Sequence, residues 1–196
     1  MPTRPQLTIV GARVYLRPPR LADARAFLAA TQASRTLHGP WTRPPDTPAR
    51  FAAFVARYGD RRSTAHAGFL VVRRDDHALV GVFNFSEIVH GAFCSAYLGY
   101  FGFAPFAGQG YMTEGMALAL DVAFRELALH RVEVNIQPTN ARSLALAQRV
   151  GFTREGYSRR YVKIAGRWRD HERYAMLAED WRTLRRKHHL RRERSA

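Results

Sequence analysis

The chain is poor in cysteine and has no long apolar stretch. Cys94 is the one cysteine among 196 residues. An internal disulfide is therefore excluded, and the apolar segment around Cys94 favours a small core residue over a nucleophile. No apolar run approaches the ~20 residues of a membrane helix, and residues 1–10 lack the apolar stretch of a signal peptide. We therefore expect a globular protein of the reducing cytoplasm, without a membrane segment or a metal site.

Acidic residues and lysines are also scarce, and arginine dominates the charge. The chain has 16 Asp and Glu residues against 31 Lys and Arg residues, which gives a formal net charge of +15. Lys163 and Lys187 are the only lysines. A basic surface attracts polyanions such as RNA and repels polycationic substrates. Contact with rRNA or the ribosome is one interpretation of this charge, and a solvated, arginine-biased surface is the other.

Hydrophobic periodicity predicts alternating strands and helices. Strands are predicted at residues 14–17, 67–72, 79–85, 92–103, 131–136, 153–164 and 171–177. Helices are predicted at residues 21–31, from the cap at Thr47 and Pro48 to Tyr58, at residues 116–127, and from the cap at Asn140 to Gly151. This order predicts a mixed α/β fold in which helices cover one central sheet.

The pattern contains neither an internal repeat nor a second domain. We predict a single domain over residues 10–181, followed by a basic tail over residues 182–196. The composition of this tail favours a frayed, solvated segment over a dedicated RNA-binding arm.

A glycine-rich turn carries the first functional signal. Gly108 and Gly110 stand between a predicted strand and an Ala/Leu-rich helix, an arrangement that converges backbone N–H groups on a phosphate. No lysine and serine follow the glycines, as they do in a P-loop, and Thr113 stands where the Rossmann spacing has its third glycine. Enzymes that use coenzyme A remain as the common users of such a turn.

Several spaced motifs together resemble the GNAT acetyltransferases. The resemblance is closest to the RimJ side of the RimJ/RimL-like branch, which acetylates N-terminal amines of ribosomal proteins. Its motifs are the segments 96–100, 108–114, 130–134, 138–144, 151–156, 166–171 and 179–181. The resemblance implies a twisted mixed sheet whose fourth and fifth strands, here residues 92–103 and 131–136, splay apart around the cosubstrate acetyl-CoA.

The resemblance also implies which groups hold the coenzyme. The backbone of Phe101 and Phe103 is expected to pair with the pantetheine arm. Asn140, the cap of its helix, is also expected to contact the coenzyme. Ala107 departs from the family pattern, which has Gln or Arg there, so one polar side chain is absent. The backbone N–H groups of one continuous segment are expected to hold the pyrophosphate: Gly108, Gln109, Gly110, Tyr111, Met112 and Thr113.

The catalytic residues of better-known relatives are missing. Ala147 replaces a tyrosine acid, and Asn135 and Val162 replace glutamate bases. Ser143 is the candidate donor to the departing thiolate. Glu133 is the candidate base, with a salt bridge to an arginine as its alternative; water is a third route for the proton. The oxyanion is expected to bind a backbone N–H near Phe101.

Three functions follow from these observations. The first is acetylation of a protein N-terminal α-amine, with a ribosomal protein as acceptor. The second is acetylation of a small neutral or anionic amine, and the third is a non-catalytic RNA- or ribosome-binding protein. The shape of residues 38–46, which border the acceptor site in this fold, should separate a peptide groove from a metabolite pocket. The protein is expected to be a monomer or a homodimer.

Overall fold

The computed structural model describes residues 8–60 and 63–193, with side chains described as far as residue 186. The strands are β1 (Ile9–Val10), β2 (Val14–Arg17), β3 (Ala67–Arg73), β4 (Leu79–Val89), β5 (Ser95–Gly102), β6 (Arg131–Ile136), β7 (Thr153–Ile164) and β8 (Arg167–Leu177). They form one eight-stranded sheet in the order β1-β2-β3-β4-β5-β6-β8-β7. All neighbouring strands are antiparallel except β5 and β6, which are parallel.

Helices cover both faces of this sheet. They are α1 (Ala24–Ala33), α2 (Arg35–His38), α3 (Pro48–Tyr58), α4 (Tyr111–Asp121), α5 (Ala141–Val150) and α6 (Ala178–Glu193). A short π-helical stretch, Val122–Glu126, extends α4. The mixed α/β fold predicted from the sequence is therefore confirmed.

A separate hydrophobic core fills each face of the sheet. One core joins α4 and α5 to the strands, through Met116 and Val150. The other lies under α1 and α3, where the rings of Phe27 and Phe51 pack with centroids 4.6 Å apart. On this second face, α1 and α3 cover only the strands of the N-terminal half. The part of the same face that β6, β8 and β7 form is therefore free to border a site.

The predicted helix ends are confirmed where a capping residue marks them. The Thr47 side chain accepts a hydrogen bond from the Arg50 N–H, and Pro48 is the first residue of α3. Asn140 accepts one from the Ser143 N–H, and Gly151 ends α5 in the left-handed conformation. Local capping chemistry is therefore sufficient to place these ends.

Other boundaries differ from the prediction. The predicted strand at residues 92–103 shortens to β5, because Cys94 lies in a turn with a φ of +41°. The predicted helix at residues 116–127 begins five residues earlier, at Tyr111, directly after Gly110. The strand predicted from His171 begins at Arg167, since β7 and β8 pair up to the turn that joins them.

The segment predicted as a tail is helical over the residues that the structure describes. Residues 182–193 continue helix α6, and residues 194–196 lie outside the described range. The indole N–H of buried Trp181 donates to an Asp121 carboxylate oxygen at 3.0 Å. Leu184 packs on the first core, and Arg185 forms an ion pair with Asp121 at 3.0 Å. Apolar and ionic contacts with α4 therefore fix a segment whose composition alone suggests a solvated chain.

A gap opens in the middle of the sheet. Strands β5 and β6 pair only where residues 95–97 face residues 131–133. Both strands then continue, to Gly102 and Ile136, without further pairing to each other. The splay implied by the resemblance lies here. The two splayed strands were predicted as the fourth and fifth strands, and they are the fifth and sixth in the structure because β1 precedes the first predicted strand.

Candidate active site

A long groove of about 2460 Å³ contains the gap between β5 and β6. It runs from the glycine turn at residues 107–110 past the splayed end of β5 to the first turn of α5. Residues 36–38, Trp41 and Thr42 border it on the other side. This volume joins the cradle, the gap and the surface beside α6 into one open region, so it includes space for more than one ligand group.

The glycine turn has the backbone geometry of a phosphate cradle. Gly108 and Gly110 have φ values of +79° and +80°, a left-handed conformation that other residues rarely adopt. Gly110 is the N-cap of α4 and provides no side-chain cap. The first N–H groups of a helix have no partner within the helix, and the helix dipole adds partial positive charge there. These groups fit a pyrophosphate without further rearrangement.

The side chains of the turn have structural contacts of their own. The Gln109 amide donates to the Pro105 carbonyl oxygen at 2.8 Å, which fixes the turn. The Tyr111 ring packs edge-on against Phe106, with centroids 6.1 Å apart. Met112 fills the space above Gly102, and Thr113 lines the groove. The predicted coenzyme contacts of this segment therefore rest on its backbone.

Arg13 is a residue at this turn that sequence reasoning missed. Its Nη1 donates to the Gln109 carbonyl oxygen at 3.1 Å, and its Nε donates to a Glu114 oxygen at 3.1 Å. The guanidinium lies 4.8 Å from the Tyr111 ring centroid. A side chain on Gly110 would place its Cβ 3.2 Å from Arg13 Nη2. About a hundred residues separate Arg13 from the turn, so no local motif connects them.

Glu114 holds Arg13 in this position. One carboxylate oxygen accepts the Arg13 backbone N–H at 2.7 Å, and the other accepts from its side chain. Burial raises the pKa of Glu114, but the hydrogen bonds from Arg13 and Val14 outweigh burial and lower it overall. The carboxylate is therefore charged at neutral pH and fixes a guanidinium beside the cradle.

The backbone groups of the two residues predicted to contact pantetheine face β4. The Phe103 N–H donates to the Val80 carbonyl oxygen at 2.8 Å, so this backbone is directed at β4. Phe101 lies opposite Val82 in the same ladder, and alternate residues of a strand direct their backbone groups to the same side. The backbone groups of Phe101 and Phe103 therefore face β4, and those of Tyr100 and Gly102 face the gap.

His38 supports the splayed end of β5. Its Nε2 lies 2.9 Å from the Gly102 carbonyl oxygen, so the ring donates to that backbone group. The ring also packs edge-on against Phe101, with centroids 5.4 Å apart. Burial lowers the pKa of His38 below its ordinary 6.5, which outweighs the opposite effect of the bond to Gly102. A neutral imidazole therefore connects α2 to the strand that borders the gap.

Asn140 and Ser143 lie together at the start of α5, on the far side of the gap. The Asn140 Oδ1 accepts from the Ser143 N–H at 3.2 Å, and both residues line the groove. The buried Tyr100 hydroxyl donates to the Ser143 carbonyl oxygen at 3.1 Å. Burial raises the pKa of Tyr100, so its hydroxyl stays protonated and holds β5 to α5 across the gap.

Glu133 does not lie beside Ser143 in the groove. Its Oε1 accepts from Arg131 Nε at 2.8 Å, and the same guanidinium forms a short ion pair with Glu155. Glu133 is absent from the described residues that line the groove. The structure thus shows the salt bridge that sequence analysis gave as the alternative for Glu133.

The described residues contain no group of three His, Cys, Asp or Glu side chains placed to hold a metal ion. Within the same described ranges, no helix has the length and apolar character needed to cross a membrane.

Comparison with known proteins agrees with this geometry. Residues 13–153 match the family model "Acetyltransferase (GNAT) domain". The chain therefore belongs to the GNAT acetyltransferases, a fold family that binds coenzyme A. Within that family it is an acetyl-CoA-dependent N-acetyltransferase with RimJ-like relatives.

Three relatives illustrate the similarity. "Probable N-acetyltransferase YjcK" of Bacillus subtilis is 33% identical over 175 residues, which is 87% of this chain and 97% of that protein. "[Ribosomal protein uS5]-alanine N-acetyltransferase" of Escherichia coli is 40% identical over 107 residues, or 55% of each chain. The solved structure "Mycobacterium smegmatis RimJ in complex with CoA-disulfide" superposes with a TM-score of 0.82 at 29% identity, covering 92% of this chain and 91% of that one.

Proposed function

We propose that the protein transfers the acetyl group of acetyl-CoA to the N-terminal α-amine of a protein, with a ribosomal protein as the acceptor. The single observation that carries the proposal is the open groove that joins the phosphate cradle to the strand gap and passes residues 36–42. An open groove admits a chain end, whereas a small amine would be recognised in an enclosed pocket. Likeness to the uS5-alanine N-acetyltransferase of E. coli supports the ribosomal acceptor.

Backbone groups of this chain bind the acetyl donor, acetyl-CoA. The N–H groups of residues 108–113 bind the pyrophosphate, and the guanidinium of Arg13 adds a full positive charge beside them. Arginine binds phosphate as a fork, so Arg13 replaces the polar side chain that Ala107 lacks. The Gly102 N–H and the Tyr100 carbonyl oxygen, which face the gap, pair with the pantetheine arm as a neighbouring strand would.

The transfer step requires a neutral amine, a stabilised oxyanion and a protonated leaving group. The amine nitrogen forms a bond to the acetyl carbon, and the bond from that carbon to sulfur breaks. The Tyr100 N–H, which faces the gap, donates to the oxyanion. Ser143 donates its hydroxyl proton to the departing thiolate and is reprotonated from water, while the neutral amine releases one proton to water. The products are the N-acetylated acceptor and free coenzyme A, with no net release of a proton.

A base role for Glu133 stays a prediction and requires a change in its surroundings. Glu133 would have to release Arg131, or act through water, before it accepts a proton from the amine. Water alone suffices if positioning supplies most of the rate enhancement, because correct orientation of reactants is itself a large effect.

Charge disfavours a polyamine acceptor. The hairpin of β7 and β8 carries more arginine and lysine than acidic residues. The positive charge of this hairpin repels a polycation that approaches the gap, whereas it does not repel a neutral or acidic peptide end.

Purified protein, acetyl-CoA and a peptide panel test the function. The panel contains peptides with free α-amines, the same peptides with blocked α-amines and a lysine, and spermidine as a small amine. Mass spectrometry is expected to find acetylation on free α-amines only. Acetylation restricted to small amines would refute the protein acceptor, and tight acetyl-CoA binding without turnover of any amine would favour the non-catalytic alternative.

A further inference from the structure

His171 is a buried histidine that lines the groove and that the transfer step does not use. It lies on β8, with 3% of its surface exposed. Tyr174 and Met176 of the same strand pack in the first core, and residues an odd number of positions away point to the opposite face. His171 therefore lies on the face that α1 and α3 leave uncovered, where β6, β8 and β7 border the site.

A hydrogen bond fixes which ring nitrogen of His171 carries the hydrogen. Nδ1 lies 3.0 Å from the Arg169 carbonyl oxygen, which can only accept, so Nδ1 is the donor. In the neutral ring, Nε2 then has a free lone pair. No described residue forms a hydrogen bond with Nε2, yet Nε2 is not one of the fully buried side-chain atoms that lack a partner. This nitrogen therefore keeps accessible surface at the groove.

The surroundings of His171 keep its ring neutral. Burial lowers the pKa of His171 below its ordinary 6.5 and outweighs two opposite effects, the hydrogen bond to Arg169 and the charge of Asp170. The Tyr161 ring packs beside it from β7, with centroids 6.0 Å apart, and Arg173 lies on the same face of β8. A neutral imidazole at pH 7 is able to accept a proton.

The other candidate proton acceptors near the groove hold the site together. Glu133 is engaged in its ion pair, and Glu114 is engaged at the phosphate cradle. The ring of His38 donates to the Gly102 carbonyl oxygen and supports β5. These contacts leave His171 for proton transfer.

The register of the sheet brings His171 to the level of the reacting strand. The pairing of β6 with β5 and with β8, continued past the end of β6, puts Phe101, the uncharged Gln137 and His171 at one level. The Tyr100 N–H, which donates to the oxyanion, belongs to the residue before this level. Two strand spacings, about 10 Å, separate β5 from β8. The imidazole and the attacking nitrogen span this distance directly or with one bridging water.

We propose that His171 is the general base of the transfer, and that its Nε2 accepts the proton that leaves the acceptor's amine. This proposal rests on the proposed function. As the bond from nitrogen to the acetyl carbon forms, the nitrogen becomes positively charged and much more acidic, so a weak base can remove its proton. His171 holds this proton as an imidazolium and passes it to water, while the bond from carbon to sulfur breaks and Ser143 protonates the thiolate.

The first test uses His171→Asn, with His90→Gln as the control. The asparagine amide can keep the bond to the Arg169 carbonyl oxygen, whereas the acceptor at Nε2 is lost. His90 is an exposed histidine between β4 and β5, away from the groove. kcat for an α-amine peptide is expected to fall at least about a hundredfold in H171N, with KM and the affinity for coenzyme A near their wild-type values. H90Q should keep the wild-type kcat.

The pH dependence of kcat separates a base from a structural histidine. Wild-type kcat should rise about tenfold per pH unit up to the pKa of His171, below 6.5, because only the neutral imidazole accepts a proton. H171N should lose this rise, and since His38 is intact in both proteins, its titration cannot produce the difference. A kcat of H171N within about threefold of the wild type, or an unchanged pH profile, would overturn the proposal.

His171→Ala with added imidazole is the second test, and it stays decisive if H171N proves unstable. Activity that returns in proportion to neutral imidazole would support the base, and no return in the folded variant would overturn it. A lower melting temperature without any change in the pH profile would show a structural role and would overturn it as well. Failure of the wild-type protein to acetylate any peptide α-amine would instead refute the proposed function, so the two failures are distinguishable.

Discussion

The two glycines of the phosphate cradle form a matched pair, because they share a backbone conformation and differ in their surroundings. Gly108 has a φ of +79° and Gly110 a φ of +80°. A Cβ on Gly108 would meet nothing within 4 Å, whereas a Cβ on Gly110 would approach Arg13 Nη2 to 3.2 Å. Gly108→Ala therefore introduces backbone strain alone, and Gly110→Ala also displaces the guanidinium.

The strain has a definite size. A left-handed conformation costs an L-residue with a side chain about 1–2 kcal/mol relative to glycine. For a chain of this length, each 1 kcal/mol lowers Tm by about 2–4 °C, so both variants should melt about 2–8 °C below the wild type. The loss should be similar in the two variants, because the end of the Arg13 side chain can move away from a methyl group at little cost.

Affinity for coenzyme A should separate the variants. The methyl group of G108A meets nothing within 4 Å, and only that of G110A moves Arg13 away from the pyrophosphate. A charge-assisted hydrogen bond contributes about 1.5–3 kcal/mol, so G110A should bind at least about tenfold more weakly than G108A in isothermal titration calorimetry. Equal affinities would refute the role given to Arg13. An unchanged Tm in G108A would refute the left-handed turn itself.

Four further predictions follow from the same contacts. Ser143→Ala should lower kcat with no loss of stability, since the cap uses the Ser143 backbone; steady-state kinetics and melting curves measure both. Glu133→Gln should retain kcat within about threefold if water takes the proton, whereas a fall of about a hundredfold would establish Glu133 as the base. Deleting residues 182–196 should lower Tm, because Leu184 and Arg185 pack on the domain; an unchanged Tm would support a free tail. The free energy of unfolding should fall as pH drops below 6.5. The pKa of His38 is lower in the folded chain than in the unfolded chain, so the unfolded chain binds the proton first. His38→Gln should flatten this dependence in melting curves at pH 5–8.

Contact with rRNA and the oligomeric state stay predictions from the sequence. Arg142, Arg149 and Arg182 are exposed along the α5 and α6 end of the groove, where they would meet a polyanion. Binding to RNA that weakens steeply with salt, and that is lost on deletion of residues 182–196, would support the contact. Salt-independent binding would argue against it.

Elements with local signals were predictable. Thr47, Asn140 and Gly151 mark helix ends through their own hydrogen bonds or backbone angles, and the structure confirms each of them. The phosphate cradle was equally predictable, because it consists of glycines that directly precede a helix in the sequence. The sheet and its splayed strands followed from the resemblance, which depends on many spaced motifs.

The structure adds what the sequence did not indicate where the outcome depends on distant contacts. Phe101 and Phe103 were chosen for the pantetheine arm, but a shift of one residue reverses the direction of every backbone group, and only the pairing of Phe103 with Val80 fixes it. The helix over residues 182–193 depends on Trp181 and Asp121, which are 60 residues apart. Composition carries no information on such a contact.

The sequence by itself determined the class of protein, through many spaced motifs, and it predicted the phosphate cradle, because each of these motifs consists of residues adjacent in the chain. Only the tertiary structure decided which groups meet in the groove. It brought Arg13 to Gly110, paired Glu133 with Arg131, and left the Asn135 side-chain oxygen without a hydrogen-bond partner among the described residues. These relations join residues from different strands and turns, and the register of the sheet, which no local segment specifies, fixes them.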